Sequence, residues 1–391
     1  MQTHYDYIVL GCGGIGSAAL YWLSRRAGQN VLGIEQYPLF HHNGGSQDYS
    51  RIIRLAYHEE KYARLTPHAY RAWETVSEES AVQVVTETGG IQIGYADSPY
   101  AQDIENYAHA MDRANIPYDR FGADELRQRF PQFTPGDEVI VLYQQKTGIA
   151  DPSRGNAAHI TLAEGYGATV LAGNPVLGIT PNDDDSVTIQ TEQGTFTCRR
   201  LVITAGAWTK PLVEKLGIPL PITVTKEQVT YYRTPHLKDF AIGRFPVFQW
   251  KDDFSHYGFP VYGEVATKAA IDASGDETTA ATRNFEPNHA REDKLTRFLQ
   301  ARIPKFVGPR LYTKTCLYAM PPDRDFLLDS LPGHPQIIAC VGAGHAYKFA
   351  SVLGQILSEL AIDSQTDHDI SAFSGLRPAL TDTAFVPNIR I

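Results

Sequence analysis

The sequence predicts an α/β fold with α+β character, in which a Rossmann-type dinucleotide domain carries an inserted antiparallel-sheet domain. Three observations predict it. The chain opens with an apolar strand, a glycine turn, a helix and a second apolar strand. It closes with a buried-strand pattern followed by an amphipathic helix. Between the two, strand formers and aromatics dominate, with turn residues at intervals.

The opening unit is the most explicit. Residues 5–10 are mostly apolar, as a strand buried on both faces should be. Residues 17–27 read as a helix and 30–35 as a second buried strand. Gly11-Cys12-Gly13-Gly14-Ile15-Gly16 lies between strand and helix and fits G-x-G-x-x-G, with Glu35 about 20 residues further on. Gly11 permits the tight turn, Gly13 lets backbone approach a pyrophosphate, and Gly16 allows helix and strand to pack closely. The helix N-terminus faces the phosphates, and Glu35 can accept from a ribose hydroxyl. The motif does not separate FAD from NAD(P), but an acid at this point disfavours a 2′-phosphate.

Residues 40–50 form a polar, glycine-rich loop. Tyr62, Leu65, Ala69, Trp73 and Val76 have helical spacing across 61–80. Strands are expected in 82–95, broken at Gly89-Gly90, and helices near 100–114 and 123–130. Asp151-Pro152-Ser153 opens a helix reaching 164, with proline suited to the first turn. Strands fill 169–202 and much of 222–272, and a helix follows over 290–302. Residues 336–341 read as a buried strand and 350–362 as a helix. The expected division is 1–84, 146–217 and 312–391 for the nucleotide domain, with 85–145 and 218–311 for the substrate domain.

Composition narrows the function. The 391 residues are 43% hydrophobic with formal net charge −9, which argues against a nucleic-acid or anionic-membrane surface. No apolar run reaches the ~18 residues of a membrane helix. The start of the chain lacks a secretory pattern, so a cytoplasmic protein is expected. Cys12, Cys198, Cys316 and Cys340 show no C-x-x-C spacing. Neither a metal site nor a disulfide scaffold is expected.

Besides the opening unit, four segments carry a resemblance: GSQDYSRIIRLAY (45–57), YGFPVYGEVATK (257–268), TKTCLYAMPPDRDFLLD (313–329) and GAGHAYKFA (342–350). With them the chain resembles the monomeric sarcosine oxidase group, which includes N-methyltryptophan oxidase and L-pipecolate oxidase among the D-amino-acid-oxidase-like flavoproteins. The resemblance implies FAD, held by Gly11, Gly13, Gly14, Ile15, Gly16, Glu35, Ser46, Ser50, Arg51, Gly342, Gly344, His345 and Lys348. It implies covalent attachment through the flavin 8-methyl carbon to Cys316 of Cys316-Leu317-Tyr318. Taken alone, a cysteine in a strand is a small buried hydrophobe.

The resemblance further implies that Arg51 lies near the flavin ring, that Arg54 and Lys348 share the substrate carboxylate, and that Tyr257 and Tyr318 line the pocket. Lys268 matches the lysine that activates oxygen, since a fixed cation in a dry site stabilises superoxide. The expected reaction is oxidation of the C–N bond of a secondary amino acid by hydride transfer to flavin N5. Imine hydrolysis follows, and O₂ is reduced to hydrogen peroxide. The expected partners are a small amino acid and O₂, with no nucleic acid or membrane, and the protein is expected to be a monomer. A flavin dehydrogenase using another acceptor, or a non-catalytic flavin-binding subunit, are the alternatives. Lys268 speaks against the first and the combined site residues against the second.

The chain departs from the family pattern where Gln47 and Asp272 replace histidines. A carboxylate at Asp272 would repel a substrate carboxylate and attract a cationic side chain, so substrate choice is expected to move away from sarcosine. Glu59 matches a family acid near the pocket, although Glu60 stands beside it.

Overall fold

In the computed structural model, which describes residues 2–98 and 100–387, the opening strand His4–Leu10 runs through an eight-stranded sheet. It pairs in parallel with Gly194–Ile203 on one side and Val31–Ile34 on the other. Val31–Ile34 continues in parallel to Thr169–Leu171, and His334–Val341 joins Gly194–Ile203 in the same sense. Parallel strands need cover on both faces. Val9 faces a core shared with helix Gly14–Ala27, while Ile8 and Leu10 face the other. Gly14–Ala27 packs against both Pro152–Gly165 and Ala350–Asp363.

Where these helices meet, His159 is fully buried, with its two ring nitrogens each 3.3 Å from a hydroxyl, Ser17 Oγ and Ser351 Oγ. Its ring stacks on Trp73 at 4.9 Å and on Tyr21 at 5.7 Å.

The second large sheet has nine strands. Val247–Lys251, Ser255–Phe259 and Thr267–Ile271 form an antiparallel meander, and Thr267–Ile271 pairs with Thr223–Tyr232. Gly90–Tyr95 and Val139–Gln144 form a further antiparallel pair. The expected antiparallel sheet is nevertheless mixed. Gly90–Tyr95 lies parallel to Val247–Lys251, because the two halves come from distant chain segments that meet side by side.

The boundary expected at residue 312 also needs correction. Strand Arg310–Met320 is bonded along its length to Thr223–Tyr232, so a cut at 312 would divide one hydrogen-bond ladder. The chain re-enters the first sheet only at Leu327–Leu331, which pairs with His334–Val341. A small third sheet joins Arg51–Ile53 and Val85–Glu87 to Gly148–Ala150. Among the described residues no helix is long and apolar enough to cross a membrane.

Candidate active site

The glycine turn opens onto a cavity of about 430 Å³ that runs from Glu35 to the face of the nine-stranded sheet. Gly11 has φ +89°, and its N–H donates to Ile34 O at 2.8 Å. A Cβ at Gly16 would stand 1.7 Å from Gly11 O, so Gly16 is needed for packing beneath the turn and does not line the cavity. Helix Gly14–Ala27 starts at Gly13 with no capping side chain. Of its first N–H groups, that of Gly14 is met by Ser46 Oγ at 3.0 Å. Uncapped N–H groups at a helix start suit an anion.

Glu35 is buried and accepts from the N–H groups of Cys12 (2.9 Å) and Tyr37 (3.1 Å). Burial opposes its ionisation, but His41 and these two N–H groups hold the carboxyl below its ordinary value. Glu35 borders the cavity, and its carboxylate retains acceptor capacity, which fits a ribose.

At the far end Lys268 is 2% exposed. Its Nζ lies 2.7 Å from Asp48 Oδ2 and donates to both O and Oγ of Ser50 at 2.9 Å. Burial pushes Lys268 down to about 8, Arg51 adds to the fall, and Asp48 opposes it. Asp48, with φ +92°, also accepts from Tyr231 Oη at 2.6 Å and from Lys314 Nζ at 3.3 Å. Arg51 donates to the carbonyls of Ser50, Gly45 and Gln47, so it clamps the glycine-rich loop while lining the cavity.

Arg54 is 3% exposed, with its guanidinium 4.5 Å from the Tyr57 ring centre and 5.4 Å from that of Tyr107. Its Nε and Nη1 are buried without hydrogen-bond partners among the described residues. Lys348, on the turn before Ala350–Asp363, donates to His345 O at 3.0 Å. Burial and then Arg54 press its ammonium well below the ordinary value, while Asp272 opposes them. His345 stacks on Phe326, and burial holds its imidazole neutral.

Ile15, Ser50, Tyr257, Tyr318, Gly342, Gly344 and Asp272 border the same cavity. Gly344 has φ +78°, and a Cβ there would stand 2.4 Å from the Tyr318 ring. Asp272 therefore points inward, paired with Arg324 Nη2 at 2.9 Å. Arg324, itself 2% exposed with φ +58°, lines the cavity too.

Besides Gly16, two expected residues stand outside the lining. Glu59 is half-exposed at the start of helix Glu60–Ser80 and pairs with Lys61 at 2.5 Å and His58 at 3.3 Å. A local ion pair has captured it, which corrects its expected place beside the substrate. Cys316 is half-buried between Thr315 and the lining residue Leu317. Burial pushes its thiol up to about 11 against the pull of Arg51 and Lys268. Gln47 is buried and donates from Nε2 to Thr315 O at 3.3 Å, so it braces the strand of Cys316 and does not line the cavity.

Asp48, Arg324 and Gln249 were not singled out from the sequence. The available signal for Asp48 was an acid three residues before Arg51 in a glycine-rich loop. For Arg324 it was a cation placed between two acids.

A glycine turn at the start of a parallel sheet, opening a cavity that ends at buried cations beside a second sheet, defines a dinucleotide-dependent oxidoreductase. Residues 6–360 match the family model described as FAD dependent oxidoreductase, and the chain belongs to that family. It is 32% identical to monomeric sarcosine oxidase of Streptomyces avermitilis, over 97% of this chain and 99% of that one. It is 31% identical to N-methyl-L-tryptophan oxidase of Escherichia coli O157:H7, over 95% and 98%. Among solved structures, NikD, an unusual amino acid oxidase essential for nikkomycin biosynthesis, matches with TM-score 0.83 and 26% identity over 95% and 98% of the two chains. L-proline dehydrogenase from P. horikoshii shares the fold, with TM-score 0.84 and 18% identity over 96% and 97%. The protein is an FAD-dependent oxidoreductase.

Proposed function

We propose that the protein oxidises the C–N bond of a secondary amino acid, N-alkyl or cyclic, and passes the electrons to O₂. The observation that carries this reading is the buried, unpartnered edge of Arg54, with Lys348 beside it, in the same cavity as Lys268. A planar guanidinium with two unmet N–H groups suits a carboxylate, and a lysine adds a point charge. Relatives named for oxidising sarcosine and N-methyl-L-tryptophan support the same substrate class.

FAD, when bound, supplies the two-electron acceptor. The chain positions and polarises. Arg54 and Lys348 hold the carboxylate, and Tyr257 and Tyr318 bound the space in which the amine lies. Lys268 holds a proton and a positive charge in a site closed to water, ready for the negative charge that oxygen reduction creates. This favours O₂ over another acceptor.

Cys316 is the proposed attachment point, supported by its place next to Leu317 and by Arg51 and Lys268, which favour its thiolate. A monomer in the cytoplasm completes the reading, in keeping with relatives whose names include "monomeric".

The test is to mix the purified yellow protein anaerobically with a panel of secondary and primary amino acids. Bleaching of the flavin by a secondary amino acid, reversed by air with release of peroxide, is the expected result. Failure of every member to bleach it would overturn the proposal.

A further inference from the structure

Strand register determines which side chains share the sheet face at the end of the cavity. Tyr257 stands opposite Gln249 on one neighbouring strand and Ala270 on the other, and Gln249 stands opposite Gln92. Directly paired residues point to one face, as do residues two apart. Lys268 and Asp272 therefore flank Ala270 on the face that carries Tyr257 and Gln249. Lys268, Tyr257, Gln249 and Asp272 all border the cavity. Phe259 and Ile52 border the cavity as well, so this wall is mixed, with Tyr257, Gln249 and Asp272 as a polar patch that a pocket for a purely apolar side chain would not need.

This wall is rich in acceptors. Gln249 Oε1 is buried without a hydrogen-bond partner among the described residues. Asp272 adds an acceptor to the same patch, because an ionised carboxylate only accepts. Burial acts against its ionisation, yet Arg324, Lys348 and Arg54 hold the Asp272 carboxyl below its ordinary value. The same cavity is also lined by Lys348 and by Arg54, whose Nε and Nη1 are buried without hydrogen-bond partners among the described residues. A buried polar group without a partner is costly, so a ligand that meets it gains affinity.

We propose that the substrate is a secondary amino acid whose side chain ends in an N–H donor, a carboxamide or an ammonium, received by Asp272 and Gln249. The inference rests on the proposed reading of Arg54 and Lys348 as the carboxylate site. A second carboxylate could reach Arg324, but it would meet the charge of Asp272.

The test uses the purified holoenzyme and the Nα-methyl derivatives of L-glutamine, L-lysine, L-glutamate and L-norleucine, with anaerobic flavin reduction as readout. The glutamine and lysine derivatives should give second-order rate constants about tenfold or more above the other two, the size of a lost buried hydrogen bond. Gln249→Leu and Asp272→Asn should each narrow that gap. Gln249→Met replaces the leucine variant if the latter fails to fold. Non-oxidisable acids should repeat the ranking as perturbations of the visible flavin band, with glutaramate binding more tightly than glutarate or hexanoate.

A preference for the norleucine or glutamate derivative would overturn this inference and leave amine oxidation standing. So would a gap that neither substitution changes. No reduction by any of the four, nor by sarcosine or pipecolate, would overturn the proposed function as well.

Discussion

Lys268 Nζ and Asp48 Oδ2 stand 2.7 Å apart in a pair almost closed to solvent, with Ser50 supplying two further oxygens to the same ammonium. Burial lowers the lysine to about 8, and Asp48 prevents a deeper fall. The positive charge is present below that value and lost above it. If Lys268 serves oxygen reduction, re-oxidation of the reduced flavin should slow as pH rises through about 8. Asp48→Asn should move this decline to lower pH. Lys268→Met should slow re-oxidation about 100-fold or more while affecting anaerobic reduction less. Stopped-flow mixing of reduced enzyme with oxygen across pH checks all three.

Arg54 is held between two tyrosine rings, and its geometry is part of its function. Arg54→Lys should raise KM about 100-fold, because an ammonium cannot reproduce the two-pronged contact. Lys348→Met should cost less, since its ammonium already serves the His345 carbonyl. Dissociation constants of simple carboxylate inhibitors, read from the flavin spectrum, should follow the same order.

The thiol of Cys316 is pushed up to about 11, so only a small fraction is thiolate at neutral pH. If it attaches the flavin, covalent incorporation into flavin-free protein should quicken about tenfold per pH unit between about pH 7 and 9. Arg51→Gln should slow it at any fixed pH by removing a charge that favours the thiolate. Cys316→Ser should release all flavin on acid precipitation. Flavin retained by that variant would assign the attachment elsewhere.

His159 is buried as neutral imidazole, lowered to about 3, against an ordinary value near 6.5 in the unfolded chain. The unfolded state therefore binds the extra proton between about pH 3 and 6.5. The stability contribution is complete above that window and is lost as pH falls through it. His159→Gln keeps hydrogen bonding to Ser17 and Ser351 but removes the titration. Between about pH 7.5 and 5.5 the wild type should lose about 1.4 kcal/mol more than the variant, measured by urea unfolding at each pH.

The fold was most legible where it is local. The glycine turn, Glu35 and the helix over Ala350–Asp363 follow from spacing within a few turns of chain. Lys348 and Lys268 were legible through the family segments that contain them. What escaped depends on distance. The Asp48–Lys268 and Asp272–Arg324 pairs join residues remote in sequence, and neither member predicts the other. Gln249 matters only because register sets it beside Tyr257. The strand Val139–Gln144 went unread between better-marked helices. Glu59 was misplaced because its nearest cation, Lys61, lies two residues away and outcompetes a distant pocket. The boundary at 312 failed because Arg310–Met320 carries a cofactor-family motif on a strand of the other sheet.

That last arrangement bears on cooperativity. The glycine turn is wound into one sheet and Cys316 into another, so a dinucleotide lying along the cavity is braced by two cores at once. A ligand gripped by both cores stabilises only the state in which both are folded. Calorimetry should show a single sharp melting event with the cofactor in place. Flavin-free protein should melt at a lower temperature and over a broader range.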